Sequence, residues 1–148
     1  MQDKAFPFEI KAGSIAEVVA LSQQLPEFDQ PHGAEEYERR LSKVPHIILL
    51  AIIDDKVVGF KVGYERDGYF YSWMGGVLPA YRRIGIAQAL ADTQEKWAKQ
   101  HNYPTVTFRT RNRHKAMLRF ALGNGFNILA VEPRDNIDEY RIVLRKDL

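Results

Sequence analysis

The stretch HIILLAII (46–53) constrains the fold more than any other part of the chain. An unbroken run of aliphatic, largely β-branched residues of this length marks a strand buried on both faces. Asp54-Asp55-Lys56 supplies a polar turn into VVGFKVGYE (57–65), and Asp67-Gly68 a second turn into YFYSWMGGV (69–77). The pattern predicts three consecutive antiparallel strands.

The flanking segments supply helices. Ser14 and Glu17 have the spacing of a capping box, and Ile15, Val18, Val19 and Leu25 recur at helical period, predicting a helix over 14–25. Tyr37, Leu41 and Val44 predict a second near 34–44, closed by Pro45. Ile86, Ala89, Leu90, Thr93 and Trp97 form the apolar stripe of a helix over 85–100. Met117, Leu118, Ala121 and Leu122 mark another, with Gly125 suited to its left-handed cap. FPFEIK (6–11), TVTFRT (105–110), NILAVE (127–132) and EYRIVLR (139–145) read as further strands. The order β-α-α-β-β-β-α-β-α-β-β is a mixed α/β layer architecture around a central sheet, expected as a single domain over 1–148.

Composition narrows the function. The 148 residues carry a net charge of +2 and no cysteine. No global field calls for a polyanionic partner, and disulfides, thiolate metal sites and a cysteine nucleophile are excluded. His32, His46, His101 and His114 lack metal-binding spacing, so no metal site is expected. No run of eighteen apolar residues is present, and MQDKAFPFEIKAG lacks the apolar centre of a secretory signal. The expectation is a soluble, cytoplasmic protein with no membrane partner.

The segment VLPAYRRIGIAQAL (77–90) ends a strand, adds two arginines and opens a helix at a glycine. A helix start presents free N–H groups and partial positive charge, which favour an anion. Gly85 removes a Cβ from the approach, Ala87 stays small, and Arg82 and Arg83 add charge suited to a pyrophosphate. Neither a P-loop nor a dinucleotide fingerprint is present.

Arg82-Arg83-Ile84-Gly85-Ile86-Ala87 resembles the Q/R-x-x-G-x-G/A signature of the GNAT superfamily of N-acetyltransferases, and Val77-Leu78-Pro79-Ala80-Tyr81 its V-x-P-x-Y/F lead-in. The element order is similar over the whole chain, as is Asn112 followed by a helix ending at Gly125-Phe126. The resemblance implies a central, mostly antiparallel mixed sheet with helices on both faces. It also implies acetyl-CoA as donor and direct attack by a primary amine in a ternary complex. On that basis Gly75, Gly76 and Val77 lie nearest the thioester, with the Val77 N–H as oxyanion donor. The N–H groups from Arg83 through Ile84, Gly85, Ile86 and Ala87 to Gln88 hold the pyrophosphate, and Asn112 flanks the pantetheine arm. A homodimer is common in such a family.

The acid and base do not follow from the match. The position four before Gly125, where many members carry tyrosine, is Ala121, and strand 69–77 has no carboxylate. Glu35, Glu36, Glu65 and Asp67 read better as solvated surface, so no base is assigned. Tyr69, Phe70, Tyr71 and Trp73 read as strand packing, with Trp73 also placed to floor an acceptor pocket. The basic run Arg109, Arg111, Arg113, His114, Lys115 and Arg119 fits RNA or an acidic acceptor, but reads better as charge near coenzyme phosphates. Three functions stay open: an N-acetyltransferase acting on a small-molecule or peptide amine, a non-catalytic acetyl-CoA sensor, and a nucleic-acid-binding module.

Overall fold

The computed structural model describes residues 7–148. Its elements, in chain order, are β1 (Glu9–Ala12), α1 (Ile15–Ser22), α2 (Ala34–Leu41), β2 (His46–Ile53), β3 (Lys56–Arg66), β4 (Tyr69–Val77), α3 (Ile86–Gln100), β5 (Thr105–Arg111), α4 (Lys115–Gly123), β6 (Asn127–Glu132) and β7 (Arg141–Asp147). The strands form one seven-stranded sheet in the order β1-β2-β3-β4-β5-β7-β6. Neighbours are antiparallel except β4 and β5, which run parallel.

Local chemistry accounts for the central hairpins. Asp54 (φ 48°) and Asp55 (φ 65°) join β2 to β3, and Asp67 (φ 52°) and Gly68 (φ 85°) join β3 to β4. Two successive left-handed residues match the twist of the strands they connect. β2 spans 46–53 as expected, and Leu49, Leu50, Ala51 and Ile52 are buried on both of its faces.

Several boundaries differ from the sequence reading. The first strand covers Glu9–Ala12 rather than 6–11, and Phe6 lies outside the described residues. α1 has the expected capping box, with the Glu17 N–H donating to Ser14 Oγ at 3.2 Å and the Ser14 N–H to Glu17 Oε1 at 3.0 Å. It stops at Ser22 instead of Leu25, because Pro26 disfavours helical geometry at Leu25. The N–H groups of Gln24 and Leu25 tighten onto Leu21 O and Ser22 O instead. α2 likewise ends at Leu41, three residues short of Val44. β7 begins at Arg141 because Ile137–Glu139 form a 3-10 turn, capped where the Asp138 N–H donates to Asn136 Oδ1 at 2.9 Å.

Helices cover both faces. Val18 and Leu21 of α1 and Tyr37 and Leu41 of α2 join Leu50, Phe60 and Val62 in the larger core. Burying each such side chain stabilises the fold by about 1.5–3 kcal/mol. On the opposite face α3 lies so close to β3 that a Cβ on Gly59 would stand 3.1 Å from Ile86 Cγ2. One on Gly63 would fall on the Phe70 ring and 2.7 Å from Gln94 Nε2. Phe70 and Gln94 are both fully buried and cannot yield. Gly63→Ala should therefore lower the unfolding free energy by about 1–3 kcal/mol, read as a lower urea midpoint at unchanged m-value.

Candidate functional site

β4 and β5 share a ladder only at Phe70↔Val106 and Tyr71↔Thr107. Beyond those pairs β4 continues to Val77 and β5 to Arg111 without bonding to each other. The cause lies on the other edge of β4. Its register with β3 slips so that Gly63 faces Ser72 and Val62 faces Met74, leaving Trp73 as the extra residue of a bulge. A bulge bends its strand, and this one carries β4 away from β5 and opens a wedge. The Leu78 N–H donates to Val58 O at 2.8 Å. The antiparallel alternation then turns the N–H groups of Val77 and Gly75 away from β3 and into the wedge.

At the mouth of the wedge the chain passes a 3-10 turn at Pro79–Tyr81 and enters α3 through two left-handed residues, Arg83 (φ 66°) and Gly85 (φ 95°). Gly85 is the N-cap of α3, and no side chain caps it. Among the described residues, the backbone N–H groups of residues 83–88 have no acceptor; Ala89 is the first to find one, Gly85 O at 3.0 Å. Free N–H groups on a left-handed turn at a helix start form a cradle for an anion. The residues expected around it are placed unevenly. Ile84, Gly85 and Ala87 are exposed at the turn, whereas Ile86 points into the core. Gln88 Nε2 is bound to Asp92 Oδ1 and Asn124 Oδ1, tying α3 to the end of α4.

Arg82, expected to face a pyrophosphate, turns back toward the strand. Its Nε donates to Val77 O at 2.9 Å and its Nη2 to Glu27 Oε1 at 2.8 Å. Glu27, in the α1–α2 connection, is the carboxylate that sequence reasoning missed. The Cβ that Gly76 lacks would stand 2.7 Å from Leu25 Cδ1 and 3.5 Å from Glu27 Oε2. Arg82 therefore holds one oxygen of Glu27 while the other overlooks the middle of Gly75-Gly76-Val77. No local pattern signals this, because the pair joins residues 55 positions apart. Glu36, by contrast, is occupied by Arg39 and Arg40, whose hydrogen bonds hold its carboxyl down to about 2. Glu65 accepts from the Tyr103 hydroxyl at 2.8 Å.

Where β4 and β5 part, a small cavity under α3 and α4 is lined by Lys61, Ser72, Gln94, Phe108 and Ala121. Burial pushes the Lys61 ammonium down to about 8, opposed by the charge of Glu95. Ala121 is buried there and offers no proton. Asn112, expected beside a pantetheine arm, braces the end of β5: its N–H donates to Tyr140 O at 2.9 Å and its Nδ2 to Ile137 O at 3.2 Å.

The opposite face of the wedge is aromatic and basic. Trp73 packs on Tyr37 of α2 (centroids 4.8 Å apart) and on His32 (5.4 Å), with the Arg40 guanidinium 4.4 Å above it. Arg109 and Arg111 project to this side together with Tyr71 and Trp73, away from the face on which α3 packs. The basic run is thus divided. Arg113 pairs with Glu139 at 3.3 Å, and Lys115 donates to Asn112 Oδ1 at 3.3 Å.

Comparison with known proteins bears on this geometry. The acetyltransferase (GNAT) family model matches residues 16–126. No curated protein matches the chain. Among solved structures, a ribosomal-protein alanine N-acetyltransferase from Escherichia coli superposes with a TM-score of 0.81 at 14% identity, covering 95% of this chain and 93% of that one. Ard1 from Thermoplasma volcanium gives 0.80 at 19% identity, with 96% and 98% covered. A GNAT family acetyltransferase from Elizabethkingia anophelis, solved with acetyl-CoA bound, gives 0.74 at 18% identity, with 96% and 99% covered.

Proposed function

The chain belongs to the GNAT family of acetyltransferases, and from that premise we propose that it transfers the acetyl group of acetyl-CoA to a primary amine bound on the α2 side of the wedge, by direct attack. One observation carries the reading. The free N–H groups of residues 83–88 lie at the point where β4 has separated from β5, so a phosphate cradle and an open strand edge are presented together. The seven-stranded sheet and its helices act as one acetyltransferase domain.

The residues present fit the coenzyme. The N–H groups of 83–88 hold its phosphates, with the exposed Arg83 adding charge. Gly75, Gly76 and Val77 offer a strand edge free of bulky side chains, along which an extended amide-bearing arm can bond as another strand would. Bound acetyl-CoA supplies an acyl carbon activated as a thioester. The Val77 N–H, turned into the wedge, donates to the oxygen on which negative charge develops. Glu27 Oε2 takes the proton of the incoming ammonium, directly or through a water. Asn112 acts by fixing the end of β5, and Arg82 by fixing Glu27 against the end of β4.

Two measurements test this. A ligand that binds only the folded state adds about 2.7 kcal/mol at a hundredfold excess over its Kd, a melting shift of roughly 5–10 °C. Acetyl-CoA should produce that shift, and its absence at millimolar concentration overturns the assignment. Thiol release across a panel of amines should then identify acceptors. A second reading, a non-catalytic acetyl-CoA sensor, draws on the buried Ala121 in the place of an acid. It is favoured if acetyl-CoA binds and no amine accelerates thiol release.

A further inference from the structure

We propose that the cleft on the α2 side of the wedge selects acceptors through a carboxylate, making the substrate a small amino-carboxylic acid; this rests on the acetyl-transfer reading above. The cleft has about 180 Å³ of space and opens to solvent, room for a small molecule. Tyr71, Trp73 and Met74 of β4 form one wall, and Arg109 and Arg111 of β5 with Arg141 of β7 form the other.

The charge in this cleft is not balanced by the protein. Arg111 and Arg141 stand directly opposite each other in the β5–β7 register, an arrangement that is destabilising for like charges. Glu139 serves Arg111 at 3.9 Å but is shared with Arg113 at 3.3 Å. Among the described residues Arg109 and Arg141 have no carboxylate partner. Glu132, opposite Arg141 in the β6–β7 register, pairs with Arg134 instead. Arg109 instead meets tyrosines, lying 5.2 Å from the Tyr71 ring centroid and donating to the Tyr69 hydroxyl at 3.5 Å. Arg66 lies 5.1 Å from the same Tyr71 ring. Arg40 over Trp73, by contrast, is bound to Glu36 at 2.7 Å. A net charge of only +2 for the whole chain makes this a local concentration.

Position relates the cleft to the reaction. Counting from the last β4–β5 pair, Tyr71↔Thr107, and allowing for the extra residue at the Trp73 bulge, Arg109 and Arg111 fall at the axial levels of Met74 and Gly76. Glu27 Oε2 overlooks Gly76. At about 3.3 Å per residue, both arginines thus stand within roughly 7 Å of Gly76 along the strand axis. An amine beneath Glu27 and a carboxylate on the arginines can therefore belong to one small molecule. Guanidinium groups match a carboxylate with paired hydrogen bonds, and Tyr71, Trp73 and Met74 line the cleft with apolar surface for a stem.

The test compares free amino acids with their amides and with the corresponding decarboxylated amines, by kcat/KM for thiol release and by calorimetric binding in the presence of CoA. Free acids should exceed both analogues by 10–100-fold. In Arg109→Met and Arg141→Met that ratio should fall toward one, with Arg109→Lys intermediate, while the acetyl-CoA melting shift persists as proof of folding. Equal rates for acids and amides overturn the proposal, as does a loss in the variants that is the same for both. An acidic peptide that outpaces every free acid overturns the choice of a small substrate. Arginine-dependent binding of amino acids without turnover would leave the cleft standing and remove the transfer reading instead.

Discussion

Gly85→Glu should abolish acetyl-CoA binding in a protein that still folds. Gly85 has φ 95° and caps α3 without a side chain. Glutamate would pay roughly 1–2 kcal/mol to adopt that left-handed conformation, a cost a domain of this size survives. The larger effect is electrostatic. A carboxylate would reach the free N–H groups of residues 83–88 from within the same chain and fill the place of the phosphates, repelling those that approach. Affinity should fall by more than about 100-fold, equivalent to roughly 2.7 kcal/mol, so calorimetry would detect no heat and the melting shift would vanish. Gly85→Asn provides the control, since asparagine tolerates left-handed geometry and adds no charge; it should bind more weakly than the native protein but measurably. If the folded glutamate variant keeps native affinity, residues 83–88 are not the phosphate site.

What could be read in the sequence divides by whether the physics is local. The 46–53 strand and the two hairpin turns were legible because strand propensity and left-handed aspartates act over a few residues. The start of α3 was legible for the same reason: a glycine cap and the free N–H groups after it are a property of contiguous backbone. Packing was less so. The stripe Ile86, Ala89, Leu90, Thr93 and Trp97 lies about one residue away from the face that α3 buries, which is Ile86, Leu90, Ala91, Gln94 and Ala98. Gly59 and Gly63 leave room on β3 for Ile86 and Gln94 of α3, an accommodation that hydrophobicity alone hides. Gln94 beside Gly63 looks like surface in the sequence and is fully buried in the fold.

The α2 side of the wedge was the least legible because it joins distant segments. Glu27 meets Arg82 across 55 positions. Arg111 meets Arg141 only because β7 inserts between β5 and β6. The bulge at Trp73, which opens the wedge, shows itself only as a slip in register against β3. The arginines were visible as a basic run; that two of them face an aromatic wall on the side away from α3 follows from the parity of β5 and not from their spacing from the cradle.

Glu27→Gln should lower kcat by about 100-fold or more near neutral pH, the usual contribution of a positioned base, and leave acetyl-CoA affinity close to native. Glutamine keeps the shape of the side chain and an oxygen for the Arg82 Nη2 hydrogen bond, now 2.8 Å to Glu27 Oε1, so the α1–α2 connection should stay in place. What it loses is the ability of the second oxygen, over Gly76, to accept a proton from an ammonium. The deficit should therefore depend on the acceptor. Amines of low pKa, already neutral at the assay pH, should suffer least, and raising the pH should recover rate in the variant more than in the native enzyme. A structural role for Glu27 predicts otherwise, with a loss independent of amine pKa and of pH and a lowered melting temperature. Arg82→Met separates the two further: it frees Glu27 without neutralising it, so kcat should drop less than in Glu27→Gln while the pH profile keeps its native form. Native kcat in Glu27→Gln would remove Glu27 from the chemistry and leave proton loss to water or to the acceptor itself.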